Sequence, residues 1–306
     1  MAENKYVIFT DSCCDLTKEQ RKRFNVEYCR MLINIDGKEE KHADLNWEEY
    51  TYPEFYGWMK VGKRIKTAQI THEEFTNSFE PWLQKGYDIL FIGCSDLLSG
   101  GNEFARQYVV PDLLEKYKGR KICIYNSKAG SGAEGMVVIQ AAMQRDKGLS
   151  FDELIKWLDE NKHLKHQYCT APTLSYFAAA GRIKGAKAFF GNLFNKKPII
   201  VSDHEGNNYT VGTVTGTKNA YKYILSELVR QRDAGFVKND DLVIVGHADC
   251  MEEANKIIDQ IKGFGFTNIE LIPFGPIVGS TAGPGAISIF FWGEPIPEDP
   301  SKMDIK

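Results

Sequence analysis

The sequence predicts a two-domain α/β protein: a parallel, three-layer α/β/α N-terminal domain followed by a mixed-sheet α+β C-terminal domain. Three observations lead there. The chain has 306 residues, more than one hydrophobic core ordinarily organises. In its first half short apolar runs alternate with helical stretches, the pattern of a parallel sheet covered on both faces. From about residue 165 the order changes to a β-hairpin followed by alternating helices and strands.

In chain order, the strand signals of the first half are "YVIFT" (6–10), "DILFIG" (88–93) and "KICIYN" (121–126). Helices are predicted near 17–24, 47–60, 102–117 (with a kink at Pro111) and 131–147. Thr17/Gln20, Thr71/Glu74 and Ser150/Glu153 have the S/T-x-x-E/Q spacing of capping boxes. Helix 151–164 is expected to bridge the domains, which divide as 1–160 and 161–306. The second domain begins with the strand "HQYCTA" (166–171), the small-residue helix "TLSYFAAAG" and the segment "GAKAFFGNLF". A hairpin with its turn at His204 to Asn208 follows. Then come a helix (218–231), "DLVIVG" (241–246), a helix (251–262), "NIELIPF" (268–274) and the apolar run "ISIFFWG". The Pro-rich end "EPIPEDPSKMDIK" reads as a loose tail.

Composition excludes several functions. A net charge of -3 argues against a nucleic-acid binder. "MAENK" leads straight into a strand, and no apolar run is long enough to span a bilayer, so a cytoplasmic protein is expected. Of the seven cysteines, Cys29, Cys94, Cys123 and Cys169 sit in apolar runs as small core residues, and no C-x-x-C occurs. Cys13-Cys14 reads as two buried or half-buried thiols rather than a redox pair.

Three motifs fail on context. Gly130 to Gly135 spells G-x-G-x-x-G, but no following strand ends in an acidic residue, so the glycines read as close helix packing. Gly57 to Lys63 spells G-x-x-x-x-G-K, but Arg64 replaces the Ser/Thr that magnesium needs. His163 and His166 have no third metal ligand nearby. No cofactor or metal is expected.

Three segments remain with the residue types of ligand-facing loops: "KTAQIT" (66–71), Ser99-Gly100-Gly101, and "VGSTAGPGA" (278–286). Thr71 has an explanation as an N-cap and Thr67 has none. Ser99 either caps the helix that follows or meets a ligand, and one hydroxyl can do both. Bare glycine amides at a helix start suit an anionic oxygen.

These and other stretches resemble, in order, the DegV family of bacterial fatty-acid-binding proteins. "VIFTDSCCDL" (7–16) is similar to its opening strand and Asp-Ser-x-x-Asp-Leu loop. "KTAQIT" is similar to its Thr-Ser-Gln-Pro loop, with Ala68 and Ile70 substituted, and "LLSGG" to its Leu-Ser-Gly-Thr loop. "YNSKAGSGAEG" carries Asn126 for the usual Asp, while "AAAGRIKG", "KKPII" and "GSTAGPGA" resemble the family's Gly-Arg-Ile, Lys-Pro-Ile and Gly-Pro-Gly signatures. Thr281 stands where the family commonly has His.

The resemblance implies a non-enzymatic carrier that holds a long-chain fatty acid such as palmitate between its domains, with 276–286 near the cleft. It implies carboxylate contacts from Thr67 and Ser99, to which Gly100 and Thr281 are added as ligand residues. It also implies a fatty acid kinase as partner, making acyl phosphate for phospholipid synthesis, with Arg182 beside Lys184 and Lys187 facing that partner. The aromatic-rich "LSYFAAAG", "AFFGNLF" and "ISIFFW" are candidates for a tunnel wall. The alternatives are an enzyme acting on a small carbonyl or phosphorylated metabolite, as in dihydroxyacetone-type kinases, and a nicotinamide-dependent oxidoreductase.

Overall fold

The computed structural model describes residues 5–184, 195–303 and 305. The first half runs β1 (Tyr6–Asp11), α1 (Lys18–Arg23), β2 (Val26–Cys29), β3 (Leu32–Ile35), β4 (Glu39–His42), α2 (Tyr52–Lys60), β5 (Ile65–Ala68), α3 (His72–Gln84) and β6 (Asp88–Gly93). It continues with α4 (Gly101–Phe104), a π-helical turn (Ala105–Val109), α5 (Val110–Lys116), β7 (Ile122–Asn126), α6 (Ser131–Asp146) and α7 (Phe151–Asn161). The second half comprises β8 (Lys165–Thr170), α8 (Ser175–Ala180), β9 (Lys196–Ser202), β10 (Asn208–Thr215), α9 (Thr217–Asp233), β11 (Val243–His247), α10 (Met251–Gly263), β12 (Ile269–Pro273), α11 (Pro276–Ala282) and β13 (Ile287–Trp292).

The two-domain α/β class holds. A four-stranded parallel sheet has the order β2-β1-β6-β7, and a six-stranded mixed sheet the order β10-β9-β8-β13-β11-β12. Every residue of β1 and β6 is buried, as continuous apolar runs require when helices cover both faces. In the six-stranded sheet only β11 and β12 pair in parallel. Helix α6 lies between the sheets and is buried from Ser131 through Ile139, so it is enclosed on all sides rather than half-exposed.

The G-x-G-x-x-G motif belongs to that packing. A Cβ on Gly132 would lie 2.4 Å from Phe290 of β13, and one on Gly135 2.8 Å from the Cys14 carbonyl. Through its bare positions the helix meets β13 on one side and the loop that follows β1 on the other.

Several expectations change. A third, antiparallel sheet, β4-β3-β5, was not read from the sequence. Its strands are only four residues long and β4 is polar throughout, but the Asp36-Gly37 turn, with both residues at positive φ, is a hairpin signal. The helix expected at 47–60 begins only at Tyr52, where Thr51 and Glu54 form a capping box and Pro53 occupies the first turn. "KTAQIT" is therefore no simple loop, because Ile65–Ala68 is strand β5. "VGSTAGPGA" likewise contains helix α11. At Pro111 the regular helix is interrupted: a π-helical turn precedes it, and the proline falls in the first turn of α5, where its missing amide is tolerated.

Thr71 accepts the Glu74 amide, but the Glu74 carboxylate goes to Arg30 instead of closing a capping box. The C-terminal tail is not loose: the Ile305 amide donates to the Val211 carbonyl at 2.8 Å, and its side chain lies over Gly212. His166 lies within β8, and the His163 ring stacks on His204 at 3.7 Å. The "AFFGNLF" segment and Lys187 lie outside the described residues. Among the described residues no helix is long and apolar enough to cross a membrane.

Strand β8 opens on Lys165, whose side chain is wholly buried with no hydrogen-bond partner for Nζ among the described residues. Burial, reinforced by Lys128 and Lys162, pulls its pKa down to about 7. Below that pH the amine is charged in the folded and unfolded chains alike, and the burial penalty is fully present. Above it the folded chain holds the neutral amine, and the penalty shrinks toward the ordinary value of 10.5. Lys165→Met is expected to stabilise the protein by about 1–3 kcal/mol at pH 7. That advantage should fade as the pH approaches 10. Denaturant titration at both pH values checks this, and a variant less stable than wild type at pH 7 would refute it.

Candidate functional site

Between the two large sheets lies a cavity of about 170 Å³, an order of magnitude above the ~10–15 Å³ that one water needs. Met31, Phe177, Phe274, Ile277, Val278 and Phe290 supply its apolar wall. Thr67, Ser99, Gly100, Thr281 and Arg182 all line it as well, although they come from four separate segments. Thr67, Gly100 and Arg182 are exposed, whereas Phe274 and Phe290 are fully buried. The cavity therefore grades from a polar rim to a mostly apolar interior, in which Ser131, Gln167 and Ser288 are the buried polar groups.

Each rim residue is held by identifiable bonds. Thr67 sits on β5, opposite Ile33 of β3. Ser99 and Gly100 lie in the loop between β6 and α4. That loop is clamped by Asn102, whose Nδ2 donates to the Cys94 carbonyl and to Asp96 Oδ1, each at 2.7 Å. Gly100, not Ser99, is the N-cap residue of α4. Ser99 Oγ accepts the Gly101 amide at 3.3 Å, which leaves the hydroxyl hydrogen to be donated elsewhere. Thr281 differs from expectation in two ways. It sits on helix α11, and its hydroxyl donates to the Ile277 carbonyl at 3.1 Å, so donation to a ligand requires that bond to be given up.

Arg182 follows Gly181, which ends α8 in the left-handed conformation at φ 68°. Its Nε donates to the Leu98 carbonyl at 3.0 Å and its Nη1 to Ala180 at 2.7 Å. The guanidinium thus lies at the rim, joining the Ser99 loop to the end of α8.

Two buried carboxylates organise the floor. Asp11 accepts the amides of Cys13 at 2.7 Å and Cys94 at 2.9 Å, joining the loops that follow β1 and β6. Asp15 accepts from Ser131 Oγ at 2.7 Å and from the Gly275 amide at 2.8 Å. Burial raises both pKa values against these hydrogen bonds, that of Asp15 to about 8.

The sequence reading missed Gln69, Gln167 and Asn208 as lining residues. Gln69 was visible in "KTAQIT" but had no assigned role. Asn208 read only as the end of a turn. In the fold its Oδ1 accepts from Gln167 Nε2 at 3.1 Å and its Nδ2 donates to the Arg182 carbonyl at 3.0 Å. Of the proposed aromatic wall, Phe177 and Phe290 line the cavity, while Phe291 faces the opposite side of its sheet in a second core.

Comparison with known proteins gives a consistent picture. Residues 5–294 match a family model described as an uncharacterised protein of the DegV family. A DegV domain-containing protein of Clostridium perfringens is 30% identical over 294 residues, spanning 95% of this chain and 98% of the relative. Among solved structures, a stearic-acid-binding protein of Eubacterium ventriosum superposes with a TM-score of 0.85 at 22% identity, covering 94% of this chain and 98% of that one. DegV of Bacillus subtilis, described as a fatty acid binding protein, gives a TM-score of 0.79 at 24% identity, covering 95% and 99%.

The geometry also yields a packing test. Phe290 meets Gly132 on one side and the cavity on the other. Gly132→Ala should displace that ring, destabilise the protein by about 1–3 kcal/mol and reduce the cavity. Thermal denaturation with calorimetry checks this, and an unchanged melting temperature would show that the ring yields freely.

Proposed function

Because this chain belongs to the DegV family, we propose that it binds a long-chain fatty acid such as palmitate in the cavity between its sheets. The carboxylate lies toward Thr67, Ser99, Gly100 and Thr281, and the alkyl chain runs inward. The observation that carries this reading is the grading of one cavity from a polar rim to a mostly apolar interior. A fatty acid has that same polarity along its length, and burying its charge without donors would be prohibitive. The Ser99 hydroxyl and the positive start of the helical run at Gly101 supply favourable partners. The alkyl chain supplies affinity: fourteen methylenes at about 0.8 kcal/mol each give roughly 11 kcal/mol gross, against an association cost of ~4–15 kcal/mol.

On this reading the protein is a carrier rather than an enzyme, with domains 1–160 and 161–306 enclosing the ligand and 276–286 reaching into the cleft. It presents the carboxylate to a fatty acid kinase that makes acyl phosphate.

Mass spectrometry of lipid extracted from purified protein is expected to find a long-chain fatty acid at near-stoichiometric amount. The Ser99→Ala/Thr67→Val double variant should stay folded and bind palmitate at least tenfold more weakly, about 1.4 kcal/mol. Absence of any acyl species, together with no thermal stabilisation by C14 to C18 acids, would overturn the proposal. Full palmitate affinity in the double variant would move the carboxylate elsewhere.

Arg182 is the candidate for the partner surface, exposed at the rim with its fork partly engaged by two carbonyls. Arg182→Ala is expected to keep lipid retention within about threefold and to cut kinase-dependent acyl phosphate formation tenfold or more, about 1.4 kcal/mol. Loss of lipid with kinase engagement intact would make Arg182 a ligand residue instead.

A further inference from the structure

We propose that Cys13, Cys94 and Glu134 form a binding site for a thiophilic cation of the Zn²⁺ class, with an open coordination position toward the cavity. The two sulfurs and a Glu134 carboxylate oxygen all lie within 4.8 Å of one another, and all three residues are buried. Zinc bonds of about 2.3 Å to sulfur and about 2.0–2.2 Å to oxygen place tetrahedral ligands roughly 3.4–3.8 Å apart. A contraction of about an ångström therefore closes the set around a metal. Two thiolates and one carboxylate suit zinc, whereas magnesium and calcium take oxygen ligands.

The surroundings hold this donor set in place. Asp11 binds the backbone amides of both cysteines through one carboxylate, so the two thiols are fixed relative to each other although 80 residues separate them in sequence. Both sulfurs face the bare Cα of Gly130, where a Cβ would lie 3.4 Å from Cys13 Sγ and 3.7 Å from Cys94 Sγ. Thr10 Oγ1 donates to Glu134 Oε1 at 2.9 Å, orienting the carboxyl as outer-shell donors orient metal ligands.

The other oxygen, Glu134 Oε2, accepts no hydrogen bond from a donor among the described residues, although the side chain is completely buried. Asp11 takes a hydrogen bond from the protonated Glu134 carboxyl, which lowers the Asp11 pKa against burial, and a cation would stand in for that proton. Two carboxyls buried side by side are costly once both are ionised, and a cation bound to Glu134 would offset that charge. Cys13 and Cys94 also line the ligand cavity, which gives an ion a route in and leaves its fourth position facing that space. Cys14 is outside the set, since its sulfur accepts the Leu16 amide at 3.4 Å.

Without a cation the donors hold their protons. A hydrogen bond between the thiols raises Cys13 and lowers Cys94, and burial then lifts Cys94 to about 11 and adds to the rise at Cys13. Burial, followed by the Asp11 charge, raises Glu134 well above the usual carboxylate range. Zinc takes thiolate and carboxylate ligands, so binding displaces the protons these groups carry.

The test is titration of the reduced, full-length protein with Cd²⁺, and with Zn²⁺ against a competing chromophoric chelator. One equivalent of cadmium should produce a thiolate-to-metal charge-transfer absorption and release at least two protons per ion. Cys13→Ser/Cys94→Ser should abolish the absorption and weaken zinc binding at least a hundredfold, and Glu134→Gln should weaken it at least tenfold. Cys14→Ser should leave both unchanged. X-ray absorption of zinc-loaded wild type, which needs no variant to fold, should count two sulfur neighbours. A reduced wild type that shows no charge-transfer band at stoichiometric cadmium, a double variant that binds as tightly as wild type, or a zinc shell without sulfur would each overturn the proposal.

Discussion

The junction between the two sheets depends on a buried carboxylate. Asp15 lies in the loop after β1, takes one hydrogen bond from Ser131 at the start of α6 and another from the Gly275 amide just before α11. Three segments far apart in sequence are thereby fixed at one point. Taking this carboxyl out of water is expensive, and burial raises its pKa to about 8 despite both donors. The geometry that results holds the floor of the cavity and the approach of α11, which carries Thr281.

Helix α6 makes the second half of that arrangement possible. Sheets that face one another through a helix are separated by the width of its side chains, unless small residues let the backbones approach. Gly132 and Gly135 remove that width on two sides, against Phe290 and against the Cys14 carbonyl. Close packing there leaves the free space beside the helix rather than around it. The cavity is what remains between Phe290, Phe274 and the loops that Asp11 and Asp15 hold.

Arg182 joins the halves at the surface as Asp15 joins them inside. Its bond to the Leu98 carbonyl reaches the Ser99 loop, while Asn208 holds its own carbonyl from the β9–β10 hairpin. Such a rim is built of exposed hydrogen bonds, each contributing on the order of 1 kcal/mol net. It can open locally at far lower cost than the buried core, which is a physical requirement for admitting a ligand between packed sheets.

The sequence alone determined the parallel strands β1, β6 and β7, the capped helices α1 and α7, and the β9–β10 hairpin. In these the signal is local: a continuous apolar run, a capping residue three positions from its partner, a polar turn between β-rich arms. Resemblance of short stretches spread along the chain added Thr67, Ser99 and Arg182 as a set. What tertiary structure decided was non-local. The β4-β3-β5 sheet has strands of four residues each, too short to establish a period, and only its Asp36-Gly37 turn was readable. The capping role of Glu74 was lost to Arg30, a residue 44 positions away that no local pattern connects to it. Thr281 was legible as a hydroxyl but not as one already bonded to Ile277, because that bond exists only once α11 is helical. Gln167 and Asn208 reach the cavity, and Cys13, Cys94 and Glu134 reach one another, only through strand order and the Asp11 clamp. Chain separation hides such groupings, since a side chain's neighbours across a sheet or helix are set by packing and not by spacing.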